Sequence, residues 1–266
     1  MARAVALLRS ADGLVVAAGA GMGADSGLPT FRGRDGLWAA YPALGRAQID
    51  FTEIANPRAF AHTPRLAWGF YGHRLNLYRA TPPHAGFGML LRWARAMPHG
   101  AFAFTSNVDG HFQRAGFDDD RVCECHGSIH HLQCAAGCAE PIWSAQETQV
   151  EVDEAACQLM SPLPTCPGCG GLARPNILMF GDWGWDASRT GAQEQRLRAW
   201  LEKVDRPVVI EIGAGVNIPT VRHFGEGFRD RLIRINMDAP EIPGGRGIGV
   251  AAGGLAALRQ LDAALS

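Results

Sequence analysis

The chain has 266 residues, a formal net charge of -1 and 19% charged residues. That length buries a core without disulfides, and 25 basic residues against 26 acidic ones exclude both a general nucleic-acid binder and a disordered acidic segment. Lys203 is the only lysine, so arginine supplies nearly all the positive charge, which reads as coding bias.

In chain order, the first ten residues are apolar but carry Arg3 and Arg9 and run into Asp12, unlike a secretion signal. No stretch reaches about 18 uninterrupted apolar residues, so no membrane span is expected and the expected compartment is a reducing cytoplasm. Buried parallel strands are predicted at residues 14–18, 101–105, 207–212 and 232–235, where short apolar runs are flanked by turn residues. Residues 177–180 are a shorter strand candidate, and residues 247–250 close the sheet. Helical patterns at 57–79, 87–96, 188–204 and 253–264 lie between them. Strands alternating with helices predict an α/β fold with a doubly wound parallel sheet. Two stretches break the alternation: 33–78 is long and largely helical, and 121–172 is rich in Cys, Gly and Pro. They are read as insertions. Residues 1–33, 81–120 and 173–266 then form the sheet domain, and residues 34–80 and 121–172 form a smaller one.

The first strand runs into Gly19-Ala20-Gly21-Met22-Gly23-Ala24, which satisfies the dinucleotide pattern G-x-G-x-x-G/A. Glycines there permit a tight turn and a close backbone approach to pyrophosphate. A glycine-rich turn after any buried strand reads equally well as purely structural. Residues 33–41 do not look like the second strand of an ordinary dehydrogenase, and no ribose-binding acid stands clearly about 20 residues on.

Cys134-x3-Cys138 and Cys166-x2-Cys169 are two close cysteine pairs. Each turn brings two thiolates to one metal, and two turns complete a tetrahedral Zn²⁺ site with no open position, hence a structural one. His130 and His131 are possible substitute ligands. Cys123 and Cys125 share one face of a strand-like segment and, with Cys157, are read as buried structural thiols.

Taken together, these motifs resemble the sirtuins, the NAD-dependent protein deacylases, from about Asp12 to Leu258. Residues 19–33 resemble the family's GAG-x-S-x-x-SGIPDFR loop. Residues 105–110 resemble TQNID, and His126-Gly127 resembles the HG pair ahead of the zinc module. Arg174-Pro175 resembles RP and Phe180-Gly181-Asp182 resembles FGE. Residues 213–219 loosely resemble GTS-x-x-V-x-P, and Ile235-Asn236 resembles the IN pair.

The resemblance implies a Rossmann-like domain carrying a smaller helical and zinc-binding domain, with NAD and an acyl-lysine peptide meeting between them. It assigns NAD contacts to Gly19, Ala20, Gly21, Ala24, Asp25, Phe31 and Arg32 in the first loop. Ser106, Asn107, Val108, Asp109 and His126 would contact it from the middle of the chain, and Gly213, Ala214, Gly215 and Asn236 from the last strands. His126 is the expected base, because an imidazole can take a ribose hydroxyl proton near neutral pH. Asn107 would orient a ribose or water, and Asp109 would accept from the nicotinamide amide. Phe180, Gly181 and Val216 would flank an extended peptide and pair with its backbone. Tyr71-x-x-Arg74 resembles the pair found in members that remove succinyl or malonyl groups. Three-residue spacing puts both side chains on one helix face, and an arginine fork suits a carboxylate. Four departures stand out: Thr30 for Asp in PDFR, Ser106 for Gln beside Asn107, Asp182 for the Glu of FGE, and Ala214-Gly215 for the hydroxyls of GTS. They keep protein ADP-ribosylation or NAD hydrolysis open as an alternative outcome, and a catalytically weak NAD-binding module as a third.

Overall fold

The computed structural model describes residues 1–30 and 33–265. In chain order it runs α1 (Ala2–Arg9), β1 (Gly13–Ala18), α2 (Ala20–Ala24), α3 (Gly33–Ala40), α4 (Pro42–Arg46), α5 (Phe51–Ile54), α6 (Pro57–His62), α7 (Pro64–Ala80) and α8 (Ala85–Arg95). The middle of the chain gives β2 (Ala101–Thr105), α9 (His111–Arg114), β3 (Val122–Glu124), β4 (Gly127–Cys134), β5 (Trp143–Ser144), β6 (Val152–Asp153), β7 (Gln158–Leu159) and β8 (Ala173–Ile177). It ends with α10 (Ser188–Leu201), β9 (Pro207–Ile212), α11 (Thr220–Glu226), β10 (Leu232–Ile235), β11 (Ile248–Val250) and α12 (Gly254–Leu265).

Six of these strands form one parallel sheet in the order β11-β10-β9-β1-β2-β3. Counted along the sheet alone this is 6-5-4-1-2-3, the Rossmann order, whose direction reverses between β1 and β9. Every residue of β1 is buried, because helices cover both faces. Leu14, Val16 and Ala18 point to the face packed by α1, α8 and α12. Val15 and Ala17 point to the face packed by α10 and α11. The period of two in a strand sends neighbours to opposite sides.

A separate core joins α3 to α7 with two small antiparallel sheets, β5-β4-β8 and β6-β7. The Trp68 indole N–H donates to the Ala173 carbonyl at 2.9 Å, which ties α7 to β8. Gly69 sits against the Cys157 carbonyl, where a side-chain carbon would collide with it.

Three sequence expectations shift. The helix at 57–79 is two, α6 and α7, because Pro64 keeps Thr63 out of helical geometry (φ -134°, ψ 58°). Residues 177–180 are not a strand of the parallel sheet; the strand is β8, antiparallel to β4. Conversely, Val122–Glu124 forms the edge of the parallel sheet beside β2, so the segment 121–172 does not lie wholly with the smaller sheets. The apolar N-terminus is a helix, with Ala4, Val5 and Leu8 buried. Among the described residues no helix is long and apolar enough to cross a membrane.

Candidate functional site

The reversal between β1 and β9 leaves a crevice at the carboxyl ends of the strands, and glycines line its floor. A side-chain carbon at Gly19 would stand 2.6 Å from the Ala214 Cα, and one at Gly21 would stand 2.6 Å from the Gly213 Cα. Gly213 adopts φ +60° and faces Gly21 so closely that any side chain would clash. The Gly21 N–H donates to the Gly213 carbonyl at 3.0 Å, and the Gly213 N–H donates to Ile235 at 2.9 Å. The two loops are therefore locked backbone to backbone. Beyond that lock, no described residue accepts from the backbone N–H groups of Ala214, Gly215, Val216, Asn217 and Ile218. Ala20 and Ala24 bound the five-residue α2.

Two buried groups hold the outer lip. Asn236 donates through Nδ2 to the Ala214 carbonyl at 2.9 Å and accepts through Oδ1 from Asp238 and Ala239. Arg222 on α11 donates to the carbonyls of Ala214, Ala239 and Glu241. Here Ala214 lacks the hydroxyl of GTS, and its carbonyl is instead fixed by these two side chains.

After β2 the chain turns under the same crevice. The Asn107 amide donates from Nδ2 to the Gly19 carbonyl at 3.0 Å, which joins this turn to the first loop. The Ser106 N–H donates to Ala18 at 3.1 Å. Val108 is buried. Asp109 is buried and its Oδ1 accepts from the His111 N–H at 2.9 Å. The Asp25 carboxylate accepts from the Leu255 N–H at 2.7 Å, at the start of α12. Phe31 and Arg32 lie outside the described residues.

His126 lies between β3 and β4, next to the first residue of β4, and is half-buried. Its Nε2 lies 3.3 Å from the Thr220 hydroxyl, and its carbonyl accepts from the Leu178 N–H at 3.0 Å. Burial lowers its pKa below the ordinary imidazole value, so the ring is neutral at neutral pH and able to accept a proton. The next residue must be glycine: Gly127 has φ +78° and packs on the Asn176 carbonyl.

The segment after β8 is pinned by one carboxylate. Asp182 accepts from both terminal nitrogens of Arg174, at 2.7 and 2.8 Å, and also from the N–H groups of Met179 and Gly184. The shorter acid thus fills a complete set of donors. Phe180 donates its N–H to Ala55 at 2.9 Å and packs edge-on against Phe51. Gly181 takes φ +63°, and Val216 across the crevice is exposed.

On α7, Tyr71 and Arg74 are both buried. Arg74 donates through Nε and one terminal nitrogen to the Tyr78 hydroxyl, at 3.0 and 2.8 Å. Its guanidinium carbon lies 5.6 Å from the Tyr71 ring centre and 5.3 Å from that of Tyr78. Burial alone would lower its pKa, but the phenols of Tyr78, Tyr71 and Tyr41 outweigh this and hold it charged. Burial pushes the Tyr71 phenol up to about 12. All three tyrosines of the chain therefore act on one arginine. Tyr78, Thr220 and Arg222 were not expected at the site. Only Tyr78 left a signal, its i+4 spacing from Arg74.

The sulfurs of Cys134, Cys138, Cys166 and Cys169 lie within 4.8 Å of one another. Cys134–Cys169 is 3.7 Å and Cys138–Cys166 is 3.5 Å. A tetrahedral Zn²⁺ with Zn–S near 2.3 Å requires sulfurs about 3.8 Å apart, so the four thiols fit the metal. His130 turns away to the Asp109 carbonyl at 2.9 Å. Burial pushes the thiols of Cys123 and Cys157 up to about 12 and raises Cys125 as well.

Fold and site together define a doubly wound α/β protein with a glycine-floored crevice at its switch point and a four-cysteine metal module. A Sir2 family model matches residues 19–220, and the chain belongs to the Sir2 family. It is 34% identical over 173 residues to an NAD-dependent protein deacylase of Aquifex aeolicus, covering 64% of this chain and 62% of that one. It is 37% identical over 183 residues to NAD-dependent protein deacylase 1 of Pseudomonas aeruginosa, covering 68% and 67%. The match spans less than two thirds of the first curated relatives, with 58% of the Aeropyrum pernix protein as an example. Among solved structures, a Sir2 homologue in complex with NAD superposes with a TM-score of 0.76 at 25% identity, covering 100% of this chain and 93% of that one. A mutant Sir2 homologue in complex with ADP-ribose gives 0.73 at 26% identity, covering 98% and 94%.

Proposed function

We propose that the protein is an NAD-dependent protein-lysine deacylase. The observation that carries this reading is the neutral His126 beside the glycine-floored crevice, in a chain of the Sir2 family. Gly19, Ala20, Gly21, Ala24, Gly213, Ala214 and Gly215 would admit the pyrophosphate, with Asn236 holding the far lip and Asp25 acting indirectly through α12. Ser106, Asn107, Val108 and Asp109 would hold the nicotinamide ribose side. Phe31 and Arg32 would complete the loop. In the reaction the acyl oxygen attacks the ribose carbon as nicotinamide leaves. His126 takes the ribose hydroxyl proton, and water completes transfer of the acyl group to give O-acyl-ADP-ribose and free lysine. Zinc on Cys134, Cys138, Cys166 and Cys169 would hold the module together, and four thiolate ligands would leave it no open position for chemistry.

The acyl-lysine partner would be an extended protein segment lying between residues 180–184 and 214–219. Tyr71 and Arg74 favour an acyl group ending in a carboxylate, because a charged guanidinium buried on α7 lowers the cost of burying that anion. Arg74→Met should lower the ratio of succinyl to acetyl kcat/KM at least about tenfold. An unchanged ratio removes the pocket from the reading.

Mass spectrometry of NAD incubated with acyl-lysine peptide tests the activity. O-acyl-ADP-ribose with deacylated peptide, lost in His126→Ala, supports it. Free ADP-ribose or ADP-ribosylated protein would indicate the outcome that Ser106 and Thr30 leave open, and binding without NAD turnover would indicate a binding module.

A further inference from the structure

Seven large apolar side chains stand exposed among the described residues: Met1, Met160, Leu178, Trp183, Val216, Ile218 and Met237. Four of them, Leu178, Trp183, Val216 and Ile218, fall on the two segments that reach His126 from opposite sides. The Leu178 N–H donates to the His126 carbonyl. The His126 ring meets Thr220, two residues beyond Ile218. Single exposed apolar residues are ordinary, but four of them on the two segments that bond to His126 mark a binding surface.

Trp183 is the extreme case, at 100% exposure. Its backbone is held on both sides. Asp182, with a side chain 0% exposed, is locked to Arg174, and the Gly184 carbonyl accepts from Gln133 at 2.8 Å. The indole is therefore presented by a fixed loop, so little loop ordering opposes a contact made through it. Tryptophan is among the residues that most often dominate an interface. The adjacent Asp182 pairs with Arg174 out of solvent's reach, so that ion pair puts no exposed charge beside the indole. Across the crevice, the N–H groups of Val216, Asn217 and Ile218 take no described partner. An extended segment can pair with such a strip while its alternate side chains face the apolar lip.

We infer that Trp183, with Leu178, Val216 and Ile218, docks the side chains that flank the acyl-lysine, and that the preferred substrate is an extended segment with an aromatic or branched aliphatic residue beside the modified lysine. This inference rests on the deacylase reading and adds the class of protein segment it selects.

The test uses acyl-lysine peptides of one length that differ only at the two positions flanking the lysine: Phe or Ile, Gly, or Asp. Deacylation of each is followed with NAD for the wild type and for Trp183→Ala. The wild type should show kcat/KM about tenfold higher for Phe or Ile than for Gly or Asp, expressed mainly in KM. In Trp183→Ala the ratio should fall towards one. Equal kcat/KM across the peptides in an enzyme that deacylates them overturns the inference and leaves the deacylase reading standing. So does a preference for Asp, or an apolar preference that survives in Trp183→Ala. No deacylation of any peptide overturns the deacylase reading itself, and this inference with it.

Discussion

His126 owes its neutral state to burial and not to a neighbouring carboxylate. The sign follows directly: desolvation disfavours the imidazolium, so the base form persists to lower pH than for a free histidine. The acidic limb of kcat/KM should therefore have its midpoint below about 6.5. A pH–rate profile with NAD and one acyl-lysine peptide checks this, and a midpoint above that value would make His126 the wrong base. At this scale much was legible from sequence. The glycine motif marked the turn where Gly19 and Gly21 leave no room for a side chain, and Asn107 reaches the Gly19 carbonyl from the motif that follows β2, because each motif reflects a backbone need or a side chain reaching a fixed loop. Asp182 was visible only as a departure from pattern. Its completeness depends on Arg174, eight positions earlier on another element, and no local spacing reveals that. Arg222 left no trace, since a cation bonded to three carbonyls looks in sequence like any surface arginine.

The elements around the crevice depend on close backbone contact. Gly213→Ala would force a side chain into Gly21 and strain a positive φ. NAD affinity in that variant should fall about tenfold or more, which isothermal titration would read. The four-cysteine module makes a second claim on an element. Cys134 ends β4, whose first residue Gly127 follows His126. Loosening the metal end of this strand should reach the imidazole at the other end. Treatment with a strong chelator should release one zinc per chain, lower the melting temperature and abolish turnover together. Retention of full activity after stoichiometric release would separate the module from the site. Strand β8 shows why elements were less legible than motifs. Its sequence, ARPNI, is buried throughout, yet Arg174 and Asn176 hide its hydropathy. Their burial is made possible by Asp182, Gln133 and Asp186, none of which lies within the strand. The apolar run that follows therefore looked like the better strand.

For the molecule as a whole, the strand–helix alternation was enough to predict the doubly wound sheet. The placement of β3 escaped it, because a three-residue edge strand carries almost no periodicity. Half-buried histidines give the whole fold a common response to acid. Burial lowers the pKa values of His84, His126 and His130, and burial reinforced by Arg189 and His130 lowers that of His131 to about 4. The unfolded chain, with ordinary values near 6.5, takes up protons first. Stability is thus complete above about 6.5 and falls with pH until the folded histidines protonate, near 4 for His131. The melting temperature should decline steadily from pH 7 to 4.5, and His131→Gln should flatten that decline. A melting temperature that is level over this range would contradict the burial argument.

The central strand β1 pairs on one side with β2 and on the other with β9. A ribosome delivers β1 and its glycine loop first, while Gly213, which locks that loop, emerges only after most of the chain has been made. The crevice is therefore a late product of synthesis. Until β9 arrives, one edge of β1 is open and its loop has no partner to set its shape. Non-local pairing of this kind slows folding. It also means that neither half of the chain, expressed alone, contains the floor on which a nucleotide could rest.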